Sequence, residues 1–413
     1  MNPSYRVAGI DVHKSMLAVV VVDVARIGEL QFERRKFGAL ASDLKQLSQW
    51  LRELDVHEVV MESTAQYWKP VWRQLEGQCQ LHLAQAQSNR APRGRKRDFA
   101  DAERLIRRHI AGELILSFVP DAEQRLWRTI TRTKYQLTRD RVRLQNQLES
   151  LLEDARLKLG ACVSDLLGVS SRRMLGAIAK GESDPQVLAA MAEGNLKATA
   201  EQLADALSAV SALSPLHRQI LKLFLDRLDL IDKHLKLLHG QIAKALREHQ
   251  EAVQRLVAVP GFGVDAAQQV IAEIGPTAAT FASPQQLASW VGVCPGREES
   301  AGVSKSNRSP KGNRMMRRVL TQAANAAVRS QGSIFQMHYR RLVIRMGHNK
   351  AIWAIAHRLC KLVWMILHRG VAYVEFGPER NAQALQRRTT KQLRELRKLG
   401  YQIIPPTTKE QLA

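Results

Sequence analysis

Between residues 5 and 110 the spacing of apolar positions changes period several times. The runs "YRVAGID" and "MLAVVVVD" are short, apolar and β-branched, and "VHKS" separates them, which predicts two adjacent strands. "LQFERRKFG" is a candidate third strand. In "LASDLKQLSQWLREL" the apolar residues move to helical spacing, with Ser42 or Asp43 near the start. "HEVVMES" predicts another strand, "YWKPVWRQLEG" a helix despite its early Pro70, and "CQLHLAQ" a further strand. A strand hairpin followed by βαβ units makes an α/β domain.

Beyond residue 120 the pattern is helical. Residues 122–160 read as one long polar-rich helix in which Ile130, Leu137, Leu144 and Leu151 recur every seven residues. A second long helix covers 214–248, with the apolar pairs Leu221/Phe224, Leu228/Ile231, Leu235/Leu238 and Ile242/Ala245, the pattern of a coiled-coil seam. Whether that seam closes within one chain or between chains stays open. The segment between them, 161–213, is Ala/Leu-rich and helical. Residues 251–370 form a second compact and mainly helical region, followed by a polar, basic tail. The expected domains are 1–118, 119–250, 251–376 and 377–413, giving an α/β plus all-α chain.

Charge narrows the partners. The 413 residues carry 62 Lys and Arg against 39 Asp and Glu, a formal charge of +23. From Ala301 to Val374 there is no acidic residue, while fourteen Lys and Arg occur, Arg340, Arg341 and Arg345 among them. A single-sign field of that length suits a phosphate backbone, whose counterions are released on binding. The four cysteines (Cys79, Cys162, Cys294, Cys360) form no CxxC pair, which points to a reducing compartment and away from structural zinc. "MNPSYRVAGIDVHK" has no signal-peptide core. "MLAVVVVDVA" is too short to span a bilayer, and "AIWAIAHRLCKLVWMIL" is interrupted by His357, Arg358 and Lys361. The expectation is a soluble intracellular protein with no membrane partner.

The chemistry sits in four carboxylates. Asp11 lies inside the first strand between Ile10 and Val12, where a carboxylate is costly unless paired or bound to a metal. Glu62 closes the strand "HEVVMES", at the kind of strand end where α/β sheets place their sites. Asp98 and Asp101 in "RGRKRDFADAERLIRRHI" are three apart, on one face of a helix that begins there. Taken singly, Asp98 also reads as a helix N-cap, Asp101 as a first-turn carboxylate favoured by the helix dipole, and Glu62 as a strand-end polar residue. Taken together they make a hard-oxygen set suited to Mg²⁺ or Mn²⁺, and ions so held polarise phosphodiesters. The basic run Arg90, Arg93, Arg95, Lys96, Arg97 just before Asp98 would bring a nucleic-acid backbone to such an ion.

"GIDVHK", "MESTAQYW" and "DFAD" in this order resemble the RuvC-like domain of the DEDD insertion-sequence transposases, serine-using recombinases related to the pilin-gene DNA invertases. The resemblance implies an RNase H/RuvC-like mixed sheet, with Asp11, Glu62, Asp98 and Asp101 as the metal carboxylates. It extends downstream. "LVAVPGFGVDAAQQVIAEIG" looks like a helix–hairpin–helix element. There Gly261 and Gly263 either let backbone N–H groups approach a phosphate or make a tight turn between core helices. "FASPQQLASWVGVCPGREESAG" matches the family's C-terminal transposase domain and places Ser300 at its nucleophile. The following "VSKSNRSPKGNRMMRRVL" is a little shorter than in some relatives, which leaves Ser304 as a rival.

What the resemblance implies is a transposase that cuts and rejoins DNA at mobile-element ends. The implied route is a covalent phosphoserine link with bound Mg²⁺ and no ATP. Arg297, Lys305, Arg308, Lys311, Arg314, Arg317 and Arg318 are the candidate phosphate contacts around the serine loop. The resemblance also implies a homodimer or homotetramer joined by the coiled coil, in some relatives a structured guide RNA, and a bacterial, nucleoid-associated, cytoplasmic location. The alternative is a RuvC-like metal-dependent nuclease, selective for DNA structure, that forms no covalent intermediate.

Overall fold

A computed structural model describes residues 5–24, 31–62, 65–86, 98–193, 196, 198–296, 298–300, 303–306 and 309–375, with positions 386, 390, 393 and 394 of the tail; for 298–300 and 303–306 it describes the backbone only. The chain divides into two compact units, Met1–Pro120 and Asp121–Ala413.

The first unit is a mixed sheet sandwiched between helices. In chain order it comprises β1 (Arg6–Val12), β2 (Met16–Asp23), β3 (Phe32–Gly38), α1 (Ala41–Glu53), β4 (Val56–Glu62), α2 (Trp68–Leu75), β5 (Gln80–Ala84) and α3 (Asp98–Ile110). The sheet order is β3-β2-β1-β4-β5. β1 is antiparallel to β2 and parallel to β4, β2 is antiparallel to β3, and β4 is parallel to β5. The unbroken valine run of β2 follows from burial on both faces. β3 is one of the two edge strands, and its Arg34, Arg35 and Lys36 are exposed, a charged edge that discourages further strand pairing. On one face of the sheet Leu44, Leu47 and Leu51 of α1 and Val71 and Leu75 of α2 cover Ile10, Val19 and Met61. On the other, Ala102, Leu105 and Ile106 of α3 cover Val7, Val20 and Val60.

The approach of α3 to β1 is set at Gly9. A Cβ there would stand 2.4 Å from the Ala102 carbonyl oxygen and 2.8 Å from Ile106 Cγ1. Gly9→Ala therefore displaces α3. The expected loss is about 1–3 kcal/mol, the usual scale of overpacking, and Asp98 and Asp101 move with the helix. Urea unfolding together with Mn²⁺ titration should show lower stability and weaker metal binding in the same variant.

The second unit begins with α4 (Ala122–Asp154), whose N-cap Asp121 accepts a 2.7 Å hydrogen bond from Gln124 N–H. Short helices α5 (Leu159–Cys162), α6 (Val169–Lys180), α7 (Pro185–Ala190) and α8 (Ala200–Ala206) lead to α9 (Pro215–Ala245). α4 and α9 pack along one another. Leu221 and Leu228 of α9 join Leu144, Leu148 and Leu152 of α4 and the core residues of α6. Of the seven-residue series on α4 only Leu144 is fully buried; the contact line steps by four and, nearer the N-terminus, includes the polar Gln124, Thr131 and Lys134. A straight helix drifts out of a seven-residue repeat, so the repeat does not mark its buried face. On α9 a different heptad series, Leu216, Leu223, Leu230 and Leu237, is more than half exposed at every member.

The rest of this unit comprises α10 (Gln250–Val257), α11 (Val264–Ile274), α12 (Pro284–Val291), a hairpin of β6 (Glu298–Ser300) and β7 (Val303–Ser306), α13 (Arg314–Ala327) and α14 (Ile334–Arg369). α11 is buried from Ala267 to Ile274 and forms the centre of this region. α14 breaks at Gly347, where φ is 75° and ψ 170°. It is the one helix among the described residues long and apolar enough to cross a membrane, yet 56% of its most apolar window is buried within the protein.

Candidate active site

Strand alternation decides which side chains face α3. Val7 and Val60 do so, and counting by twos along β1 and β4 brings Asp11 and Glu62 to the same side. Ile10 pairs with Met61 in the parallel ladder, so Asp11 and Glu62 are the next residues along two adjacent strands. On α3, Asp98 and Asp101 continue toward the N-terminus the stripe formed by Ala102, Leu105 and Ile106. All four carboxylates thus belong to one end of the layer between sheet and helix. His13, two residues past Asp11, places Nε2 3.1 Å from Asp11 Oδ2 and 3.6 Å from Asp98 Oδ1. Lys36 Nζ is 3.3 Å from Asp98 Oδ2, and an Arg104 guanidinium nitrogen 2.7 Å from Asp101 Oδ1. Burial pushes the Asp11 carboxyl above its ordinary range; His13 opposes the shift, and the Asp101 and Glu62 carboxylates reinforce it. An acid destabilised by burial and by two like charges is a group that gains from a cation.

β6 and β7 pair as a short antiparallel hairpin. Ser300 pairs with Val303, the last pair before the turn, and Glu299 with Ser304. After the hairpin, the Ser309 hydroxyl accepts a 2.7 Å hydrogen bond from Trp353 Nε1. Asn313 caps α13 by accepting from Met315 and Met316 N–H at 2.9 and 3.0 Å, and its Nδ2 donates to Glu273 Oε2 at 2.9 Å. Glu273, only 2% exposed, also accepts a two-bond fork from Arg132 at 2.8 and 2.9 Å. Arg128 Nε lies 3.5 Å from the same carboxylate. Burial brings Arg128 down to about 10, with Glu273 opposing and Arg132 adding to the shift. A buried ionic cluster therefore ties α4, α11 and the N-cap of α13 into one body.

Two family models match this chain. A DEDD-type transposase model covers residues 8–156, and the model described as "Transposase IS116/IS110/IS902 family" covers 253–340. The first spans the carboxylates and the second spans Ser300. The chain belongs to the IS110/IS116 family of DEDD transposases. A "Probable family 20 transposase" of Pseudomonas aeruginosa is 26% identical over 336 residues, 79% of this chain and 89% of the relative. The transposase for insertion sequence element IS1111A of Coxiella burnetii is 30% identical over 135 residues, 32% of this chain and 36% of that protein. Among solved structures, the Thermus thermophilus RuvC structure aligns 99% of its length with 27% of this chain, at 14% identity and a TM-score of 0.22. As a transposase of this family the protein is a DNA-cutting enzyme. Asp11 and Asp98, with His13, bring donor atoms within 4.8 Å of one another, and with Asp11 held above its ordinary range this end of the layer fits a divalent metal.

The basic residues named from sequence separate into groups. Lys311 and Arg314 are exposed in this transposase, as are Arg340, Arg341 and Arg345. Arg317 and Arg318 have partners inside the second unit. Arg317 lies 4.7 Å from the Trp353 ring and donates to the Pro310 carbonyl at 2.7 Å. Arg318 stacks 4.1 Å over Tyr135 and bonds Gln269, and burial lowers its pKa. Gly261, at φ 90°, backs onto α13: a Cβ would meet the Ala323 carbonyl oxygen at 2.2 Å. Gly263 is the N-cap of α11 with open space around it. Arg93, Arg95, Lys96, Arg97, Arg297 and Arg308 lie outside the described residues, as does the Lys305 side chain.

Sequence reasoning passed over His13, Lys36 and Glu273. His13 carried a signal, since residues two apart on an extended strand share a face. The other two carried none, because their partners are distant in sequence.

Proposed function

We propose that this transposase cuts and rejoins DNA at the ends of its own mobile element through a covalent phosphoserine intermediate on Ser300. The reading rests on the place of Ser300 at the end of β6, in the last backbone pair of a short hairpin that precedes the capped N-terminus of α13. A nucleophile at a hairpin tip reaches a duplex phosphate that a core residue does not. As the Ser300 oxygen bonds to phosphorus, the bond to the departing strand oxygen breaks. The hydroxyl proton passes to a base, and the departing oxygen takes up a proton. One phosphoester replaces another, so the reverse step needs no ATP.

Asp11, Glu62, Asp98 and Asp101 of a RuvC-like domain would hold Mg²⁺ or Mn²⁺, which when bound neutralises charge developing on the phosphodiester. His13 holds Asp11 and Asp98 together on one side of that set. Lys311 and Arg314, with Arg297, Lys305 and Arg308, take the phosphates flanking the serine hairpin.

A denaturing gel of wild type, Ser300→Ala and Asp11→Asn, each with flanking element ends and Mg²⁺, tests this. The expected result is a protein–DNA adduct in wild type alone. Cleavage without an adduct, unchanged by Ser300→Ala, would establish the metal-dependent nuclease instead.

The assembly is a homodimer or homotetramer joined along α9. The exposed Leu216, Leu223, Leu230 and Leu237 recur at heptad spacing and supply an apolar stripe for a second copy. Leu223→Lys with Leu230→Lys should release monomers with unchanged helical content, measured by light scattering and circular dichroism. A structured RNA from the element guides the choice of ends and target. The net charge of +23 suits a second polyanion. Nuclease-resistant RNA should copurify, and full recombination by RNA-free protein would remove this part of the reading.

A further inference from the structure

The face of α3 that carries Asp98 and Asp101 ends, one helix length away, in His109. The same stripe therefore begins in carboxylates, passes through Ala102, Leu105 and Ile106, and finishes in an imidazole. β4 repeats the arrangement. Glu62 stands at its end, and Glu58, four residues earlier and on the same side, stands near its start. On β5, Leu81 and Leu83 pack on the opposite face of the sheet, so His82 faces α3 with Ala84. Three elements thus bring Glu58, His82 and His109 together at the end of the layer away from the catalytic carboxylates. The two clusters are separated by roughly 13 Å along β4, at about 3.3 Å per residue.

The donor atoms converge on one point. His109 Nε2 is 2.7 Å and His82 Nε2 2.9 Å from the same oxygen, Glu58 Oε2, and the two rings are 4.6 Å apart. All three side chains are at most 17% exposed. A hydrogen-bonded cluster accounts for His109, which bonds Glu58 with good geometry. It accounts poorly for His82, whose buried Nε2 comes within 2.9 Å of the same oxygen but outside good hydrogen-bond geometry. The second carboxylate oxygen, Oε1, is taken by the Tyr5 hydroxyl, which donates to it. This leaves Oε2 as the oxygen turned toward the two imidazoles, in the way that an outer hydrogen bond orients a metal-binding carboxylate.

We propose that Glu58, His82 and His109 form a second metal site, for a transition ion of the Zn²⁺ class, which ties β4, β5 and α3 together. Two imidazole nitrogens and one carboxylate oxygen are a set that zinc takes at about 2.0–2.2 Å. Tetrahedral ligands at those lengths lie roughly 3.3 Å from one another, so donors now 2.7 and 2.9 Å apart need to separate by only a few tenths of an ångström. Imidazole selects such ions over Mg²⁺, which keeps this site chemically distinct from the all-carboxylate one. The ion acts on the catalytic end through the elements it joins. It fixes the far ends of β4 and α3, whose other ends carry Glu62, Asp98 and Asp101. Three protein ligands leave a fourth position for water.

Full-length protein without a polyhistidine tag, in an Asp11→Asn, Asp101→Asn background, isolates this site from the carboxylate one. Titration with Co²⁺ should give the intense visible spectrum of a tetrahedral, imidazole-bound ion, saturating at one equivalent per chain and bleached by Zn²⁺. His82→Asn and His109→Gln should each abolish the spectrum while circular dichroism stays native. Tyr5→Phe, which removes only the outer hydrogen bond and leaves every ligand in place, should weaken Co²⁺ by about 10-fold. Absence of a tetrahedral spectrum in folded background protein at one equivalent of Co²⁺ would overturn the proposal. So would a spectrum that persists unchanged in His109→Gln.

Discussion

Asp11→Asn should reduce DNA cleavage by at least about 100-fold, the scale on which loss of one preorganised electrostatic partner registers, and yet make the metal-free protein more stable. The two effects have one cause. Burial, reinforced by Asp101 and Glu62 and only partly offset by His13, disfavours the ionised Asp11 carboxyl in the folded state. Its folded pKa therefore lies above the unfolded one. Between those values the folded protein keeps a proton that the unfolded chain has released, so stability from this group falls as pH rises through the window. Above the raised pKa the folded protein carries the whole penalty, and asparagine, which is neutral, removes it. The stability difference should shrink as pH falls through the raised pKa toward the ordinary carboxylate range. Saturating Mn²⁺ should reverse the order, because the ion stabilises wild type and gains little from the variant. Melting temperatures of both proteins, with and without Mn²⁺, at neutral pH and at about pH 5 check every part of this. A metal-free Asp11→Asn protein less stable than wild type at neutral pH would show that His13 outweighs the burial.

Glu273→Ala should destabilise the second unit by about 3 kcal/mol. Removing one partner of a buried ion pair typically costs roughly 3–5 kcal/mol because the other charge is left stranded. Arg128, whose side chain is 12% exposed, would lose its nearest carboxylate but keep its bonds to the Ala272 and Glu273 carbonyl oxygens, and Arg132, 43% exposed, would recover water, which holds the loss to the lower end. The variant also frees Asn313 Nδ2 from its 2.9 Å bond and so loosens the cap of α13, downstream of the serine hairpin. If the proposed phosphoserine route operates, adduct formation should slow even at temperatures where the unit remains folded. Urea midpoints for Glu273→Ala, Arg132→Ala and the double variant give the coupling directly. Additive effects at these two positions would mean that the fork contributes nothing.

Much of the first unit is legible along the chain. β-branched runs, alternation and helical spacing mark its strands and helices, since those periods are local properties of the backbone. The four acids stand out because aspartate within "VAGIDV" and glutamate closing "VVME" contradict their apolar surroundings. Alternation even suggests which side they face. The second unit is less legible. Its helices announce themselves, but their buried faces do not. The heptad series on α4 leads to Leu137 and Leu151, while packing buries Leu148, Leu152, Thr131 and Lys134. Arg317 and Arg318 read as phosphate contacts in a basic run, and the fold turns them onto Trp353 and Tyr135.

The sequence by itself determined the elements, the family and the acidic set, because each depends on spacing within a few residues or on motif order. Tertiary structure alone decided which charges meet. Glu273 reaches Arg132 across 141 positions, and Glu58 reaches His82 and His109 from three separate elements. No local period encodes those meetings. They follow from the closeness of α3 to β1 that Gly9 permits, and from the way α4 and α13 close around α11, so the chain's buried charges acquire their partners only when these layers pack.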